Sequence, residues 1–333
     1  MGADTGRDSA AARKPVSSSA MTSSTSQPAS DVHVRLRSLL MVVAGSVVVF
    51  VANYVFFVRT TLGQELDDAA LVGGEQRPQG VVSEAWELLD VISVVSLAAA
   101  CVAIGVVALL RRRFALAIAV LAAIGTANMV TQLLKRVVLE RPDLIGSGEL
   151  NSLPSGHATV AATVAVGVVA VSAPRWRSVV ALVAWLFPVA VGVAVVIAGW
   201  HRPSDSIAAF CVVLGVAAAA LACVVAVFGF DRGERPPAWF RRSVLTVAGI
   251  AISALVALSF AGLWIVRDRI RDGELSTRWD SVAFASATAA IIAAGALMLL
   301  FLVATMRGMA IGHGGWRRDD VAESDAPVTA ETP

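Results

Sequence analysis

Long apolar runs separated by short polar loops constrain this chain more than any other feature. A helix needs about 20 predominantly apolar residues to cross the hydrocarbon core of a bilayer. Eight stretches qualify: 38–58, 90–110, 114–134, 158–173, 179–200, 205–230, 244–266 and 282–305. The fourth is short at its apolar core, and the fifth contains Pro188, which a membrane helix tolerates as a kink. The expected fold is all-α: an integral membrane helical bundle of about eight transmembrane helices. Composition agrees, with 57% of the 333 residues hydrophobic and 16% charged, where a soluble domain carries roughly 25% charged residues. Most soluble enzymes are excluded, and so is a disordered interaction protein, which shows the opposite balance. A net charge of +2 without a clustered basic face argues against nucleic acid as a partner. The three cysteines, at 101, 211 and 223, all lie in apolar runs and point to neither a disulfide framework nor a metal site.

Residues 1–34 are rich in Ser, Thr, Ala and charge and lack the apolar region of a signal peptide, so they read as a disordered tail. Residues 306–333 read as a second polar tail. Arginines orient the spans. Arg35 and Arg37, Arg111 to Arg113, Arg175 and Arg177, Arg232, Arg235, Arg241 and Arg242, and Arg307, Arg317 and Arg318 all fall on one face of an eight-span chain. That face is expected to be cytoplasmic, with both termini inside and the chain in the plasma membrane. The loop after the seventh run is the weakest point, because its four arginines mix with Asp268, Asp272, Glu274 and Asp280. Trp86, Trp200, Trp264 and Trp279 sit near span ends, where interfacial anchors are expected. The 59–89 segment reads as a connector on the opposite face, or as a cover for whatever site lies there.

Three polar clusters remain, and the span count puts all three on the extracytoplasmic side. They are Lys135 to Pro142, Pro154-Ser155-Gly156-His157 and His201-Arg202-Pro203-Ser204-Asp205. Lysine occurs only at 14 and 135, and two of the four histidines fall in these clusters; His33 and His313 lie in the polar flanks. A guanidinium grips phosphate through a bidentate fork, and an ammonium acts as a point charge. Ser155 and Gly156 precede a helix, whose free N–H groups make an anion site that glycine lets a ligand approach. His201 and Asp205 are four apart, so one helical turn brings them together. A carboxylate that fixes one imidazole nitrogen leaves the other as a nucleophile. Singly, each cluster is better read as an interfacial anchor, a helix cap or a surface pair. Their joint occurrence on one face points to phosphoryl-transfer chemistry, which needs an anion cradle, a nucleophile with an orienter and an acid.

Together the clusters resemble the three-part signature of the type 2 phosphatidic acid phosphatase and vanadium haloperoxidase superfamily, over about residues 90–230. Pro154 to His157 is similar to its middle motif, and the His201 to Asp205 spacing to its last. The resemblance implies a six-helix phosphatase-like core within 35–230, two additional helices in 231–305, and a metal-independent phosphohistidine mechanism without a cofactor. It implies His201 as nucleophile, Asp205 as its orienter and His157 as general acid. Lys135, Arg141, Ser155 and Gly156 would hold the phosphate. Two departures stand out. Five residues separate Lys135 from Arg141, where the family has six. The arginine that usually stands six residues before the nucleophile is Val195 here. Pro142 disfavours helix at Arg141, so the helix is expected to end early and the loop to restore the reach. Arg202 is the expected substitute for the missing arginine. The implied activity is hydrolysis of a lipid phosphate monoester or pyrophosphate, with phosphotransfer to an alcohol as a close variant. The competing readings are a non-catalytic lipid-phosphate binder or lipid-moving protein with the same cradle, and vanadium-dependent halogenation, which would not need eight spans.

Overall fold

The computed structural model describes residues 29–148, 150–232, 238–274 and 276–310. Its regular structure is helical, apart from a two-residue antiparallel pairing of Asp231–Arg232 (β1) with Met309–Ala310 (β2). The helices are α1 (Ala29–Arg59), α2 (Thr61–Glu75), α3 (Gln79–Asp90), α4 (Val94–Leu110), α5 (Phe114–Leu133), α6 (Gly156–Val171), α7 (Arg177–Ala184), α8 (Leu186–Ile197), α9 (Pro203–Phe228), α10 (Ala238–Arg271) and α11 (Thr277–Thr305). A π-helical turn, Leu134–Val138, continues α5.

Each of the eight apolar stretches lies largely within helix. By length and composition, six helical stretches among the described residues are fit to cross a membrane: Asp31–Arg59, Phe114–Val138, Arg177–Ile197, Pro203–Phe228, Arg242–Arg271 and Thr277–Thr305. α3 and α4 together make a seventh, bent by 58°. The bend has a local cause. Ser93 accepts from the Ser96 N–H at 3.2 Å, and the Ser96 hydroxyl accepts from the Ser93 N–H at 2.9 Å. This reciprocal cap starts a new helix where the old one has ended. α6 has 16 residues and is shorter than a span; Pro174 keeps Ala173 out of helix beyond it. The fifth stretch breaks at Trp185, between α7 and α8. Pro188 supplies no N–H to the turn before it and crowds the Ala184 carbonyl.

Two expectations are corrected. The 59–89 connector is two helices, α2 and α3, rather than a loop. α2 opens on Thr60, whose hydroxyl accepts from the Gly63 N–H at 3.0 Å. The N-terminal tail is also shorter than expected, because residues 29–34 belong to α1; residues 1–28 and 311–333 lie outside the described residues.

α6 and α9 form the centre of the bundle. Ala158, Ala161, Ala162, Val169, Ala208, Ala209 and Val225 have no exposed surface. Lipid tails are as apolar as side chains, so helices associate through close packing, which small residues permit. α10 is peripheral: 6% of its apolar window is buried, against 50% for α9. Carbonyls in the turn just beyond α11 take arginines as partners. Arg177 Nη1 donates to Met306 O at 2.9 Å and Met309 O at 3.3 Å, and Arg35 Nη2 to Arg307 O at 2.6 Å.

Candidate active site

Alternating helix directions carry the three polar clusters to one end of the bundle. Lys135 lies in the π turn after α5, Ser155 to His157 open α6, and His201 to Asp205 join α8 to α9. The helix stops at Val138 and Leu139 is extended, so the chain reaches Arg141 as a loop. Asn151 braces that loop by donating to the carbonyls of Lys135 (3.1 Å) and Leu139 (3.3 Å). Ser155 caps α6, and its N–H donates to the Asp205 carbonyl at 3.0 Å, tying the second cluster to the third. A Cβ on Gly156 would meet no protein atom closer than 3.6 Å, so the chain leaves that space open.

His201 and Asp205 form the central pair. His201 Nδ1 lies 3.0 Å from Asp205 Oδ2. The same oxygen accepts from Ser152 Oγ at 2.6 Å and from the Arg202 N–H at 3.1 Å. Asp205 is fully buried, and its Oδ1 has no partner. His201 is 7% exposed; its Nε2 makes no hydrogen bond, yet it is not among the buried unpartnered atoms. A turn sets this geometry. Gly199 has φ +73°, a conformation that glycine adopts without steric cost, and a Cβ there would strike the Glu75 side chain. The Trp200 and His201 N–H groups both donate to the Val195 carbonyl, at 3.0 and 3.1 Å. The Val195 side chain is fully buried in the apolar core.

The charges form one electrostatic group. Lys135 is within reach of Asp205 and His157, and His157 of His201. Arg141 feels Arg202, Asp67, Asp205 and Asp68; burial and then the Arg202 charge make its guanidinium less basic than usual. Its Nη2 is buried without a partner. Arg202 is 2% exposed and gives Nη2 to Asp68 at 3.2 Å, while its Nε is unpartnered. All eight candidate residues therefore come together, with Arg202 set behind His201 against α2. Among the described residues, no group of three or more His, Cys, Asp or Glu side chains is placed to hold a metal ion.

Sequence reasoning missed the support from α1 and α2. Asn53 Nδ2 donates to Ser204 O at 3.0 Å, and Tyr54 to Glu140 O at 2.8 Å. Gln64 Nε2 donates to Pro142 O at 2.7 Å. Asp67 accepts from both the N–H (3.1 Å) and the hydroxyl of Ser204. The available signal was helical spacing: Gln64, Asp67 and Asp68 fall at i, i+3 and i+4 and share a face. Aromatic rings were also underread. Trp200 lies 5.2 Å from the His157 ring and 5.1 Å from Trp86 of α3, so two expected membrane anchors stand at the site.

Burial, and then the charge of Asp205, push the Asp67 carboxyl from 3.8 up to about 7. Folding thus favours its protonated form. That contribution is complete below the unfolded value and is lost as pH rises through about 7. Asp67→Asn mimics the protonated acid and has no such loss. From about pH 5 to about pH 8, the melting temperature of the native chain should therefore fall relative to Asp67→Asn. Parallel melting curves would show that Asp67 does not titrate there.

No curated protein matches the chain significantly, and no solved structure does so. Residues 93–229, less than half of the chain, match the family model of the PAP2 superfamily. This stretch carries all eight candidate residues, whereas Asn53, Gln64, Asp67 and Asp68 precede it. Superfamily members are phosphoesterases. The segment from α4 to α9, with its three polar clusters gathered at one end of a multi-pass membrane bundle, is the part of the chain that is similar to the PAP2 superfamily.

Proposed function

We propose that the chain is a membrane lipid phosphatase, acting on a lipid phosphate monoester or pyrophosphate through a phosphohistidine intermediate. The observation that carries this reading is the buried Asp205 carboxylate on His201 Nδ1, with Nε2 left open. A binding protein has no need of an oriented nucleophile. In this reading His201 Nε2 attacks phosphorus, an N–P bond forms and the bond to the leaving oxygen breaks. His157 gives that oxygen its proton. Water then attacks the phosphohistidine and yields its proton to His157, releasing phosphate. Lys135, Arg141, Ser155 and the Gly156 N–H hold the phosphoryl oxygens. Arg202 supplies the positive charge that Val195 does not. The half-buried Arg141, with Nη2 left unpartnered beside the like charge of the buried Arg202, is what a phosphate cradle requires.

The bent pair and α6 complete eight crossings in this reading. Both termini face the cytoplasm of a plasma membrane, and the site faces outward, where a lipid phosphate reaches it while its tails stay in the bilayer. The test uses full-length protein in detergent with phosphatidic acid, phosphatidylglycerol phosphate and a polyprenyl pyrophosphate, each with a chelator. Chelator-resistant phosphate release from at least one is expected. Retained binding with no release from any would overturn the catalytic reading in favour of a lipid-phosphate binder.

A further inference from the structure

A second site lies at the far end of the bundle. α7, α10 and α11 enclose a cleft of about 330 Å³, lined mainly by apolar residues. Along α7 the lining runs from Arg177 to Trp185, and along α10 from Val244 to Leu255. At 1.5 Å per residue these stretches are about 12 and 16 Å long. Half of a bilayer's hydrocarbon core is about 15 Å, so the cleft is one leaflet deep. Arg177 begins the span formed by α7 and α8, and His201 lies just beyond its other end, which places the cleft in the leaflet away from the candidate active site.

Arg177 lies at the polar end of this cleft. It is 3% exposed. Its Nη1 serves the end of α11, but Nε and Nη2 have no partner. Those two atoms form one edge of the guanidinium, the edge that grips a phosphate with two parallel hydrogen bonds. Arg113, 7% exposed and within electrostatic reach, also leaves Nε and Nη1 unpartnered. Among the described residues neither arginine makes an ion pair. Buried charge without a counterion is strongly destabilising, so this end of the chain is short of an anion. An apolar slot one leaflet deep beneath an unpaired phosphate fork matches one ligand in both parts.

We propose that the cleft between α7, α10 and α11 binds an anionic phospholipid, with an acyl chain in the slot and the headgroup phosphate on Arg177. The site is independent of catalysis and serves to hold the peripheral α10 against the bundle.

Native mass spectrometry of the full chain tests this, with phosphatidylglycerol and phosphatidylcholine of identical chains. The native chain should retain phosphatidylglycerol about tenfold more tightly than phosphatidylcholine, as expected when charge-assisted contacts to a phosphate are backed by net negative charge. Arg177→Lys should keep most of that preference. Arg177→Ala should lose it. Ala248→Trp fills the slot, leaves Arg177 in place and lies far from His201; it should lose both lipids while retaining helix content. Equal retention of the two lipids by the native chain would overturn the proposal. So would an unchanged preference in Arg177→Ala, or displacement of phosphatidylglycerol by inorganic phosphate alone, which would mean that the acyl slot contributes nothing.

Discussion

Replacing His201 with alanine is expected to abolish phosphate release from a lipid phosphate, lowering kcat by on the order of 10^4-fold or more. In the proposed mechanism every turnover passes through a bond between His201 Nε2 and phosphorus, and among the described residues no other imidazole has a carboxylate behind it. His157 lies tilted against Trp200 and makes no hydrogen bond to an acid among the described residues. The cradle itself stays intact, because Asn151 holds the Lys135 carbonyl, Tyr54 and Gln64 hold the carbonyls on either side of Arg141, and the Asp205 carbonyl holds the start of α6. Inhibition by inorganic phosphate should therefore survive at a similar concentration in any variant with residual turnover. A second readout is chemical. Native protein quenched during turnover should carry an acid-labile phosphoryl group, and the variant should carry none. Turnover within tenfold of native by His201→Ala would sink the phosphohistidine mechanism.

The Asp205→Asn variant should lose about 10^3- to 10^4-fold in kcat, with much smaller changes in KM. The scale is that of the corresponding acid-to-amide change in a serine protease triad. Asp205 Oδ2 collects three donors, from Ser152, Arg202 and His201. An amide oxygen in its place still accepts these bonds, so the turn persists. It carries no charge, however, and cannot stabilise the positive imidazole that forms as His201 bonds to phosphorus. The new Nδ2 occupies the position of Oδ1, which is buried without a partner. That adds about 1–3 kcal/mol of destabilisation from an unsatisfied donor, which a melting curve reads. A variant that melts lower but keeps native kcat would reduce Asp205 to a structural role.

The apolar framework and the convergence of the three clusters were legible in the sequence, because both follow from long-range regularities. Span-length runs show as helices, and an alternating chain carries Lys135, His157 and His201 to one end. Two features were hidden for a shared reason. α2 buries Gln64 and Asp67 beside Leu66, Ala69 and Ala70, so polar side chains interrupt its buried face and blunt its hydropathy signal. The same blindness hid Trp200 and Trp86, whose position at span ends matches anchoring equally well. The count of crossings was obscured by the Ser93 cap, which bends one stretch, and by the brevity of α6. The short spacing from Lys135 to Arg141 became interpretable only with the π turn and the extended loop in view.

The contacts from α1 and α2 bear on how far this candidate site is portable. Ser204, Pro142, Glu140 and Arg202 all meet partners upstream of residue 93. A segment moved into another bundle would bring its motifs but leave these groups facing foreign helices. The site thus draws on two parts of the chain at once, and a change at Arg202 or Ser204 would leave Asp68 or Asp67 without its partner.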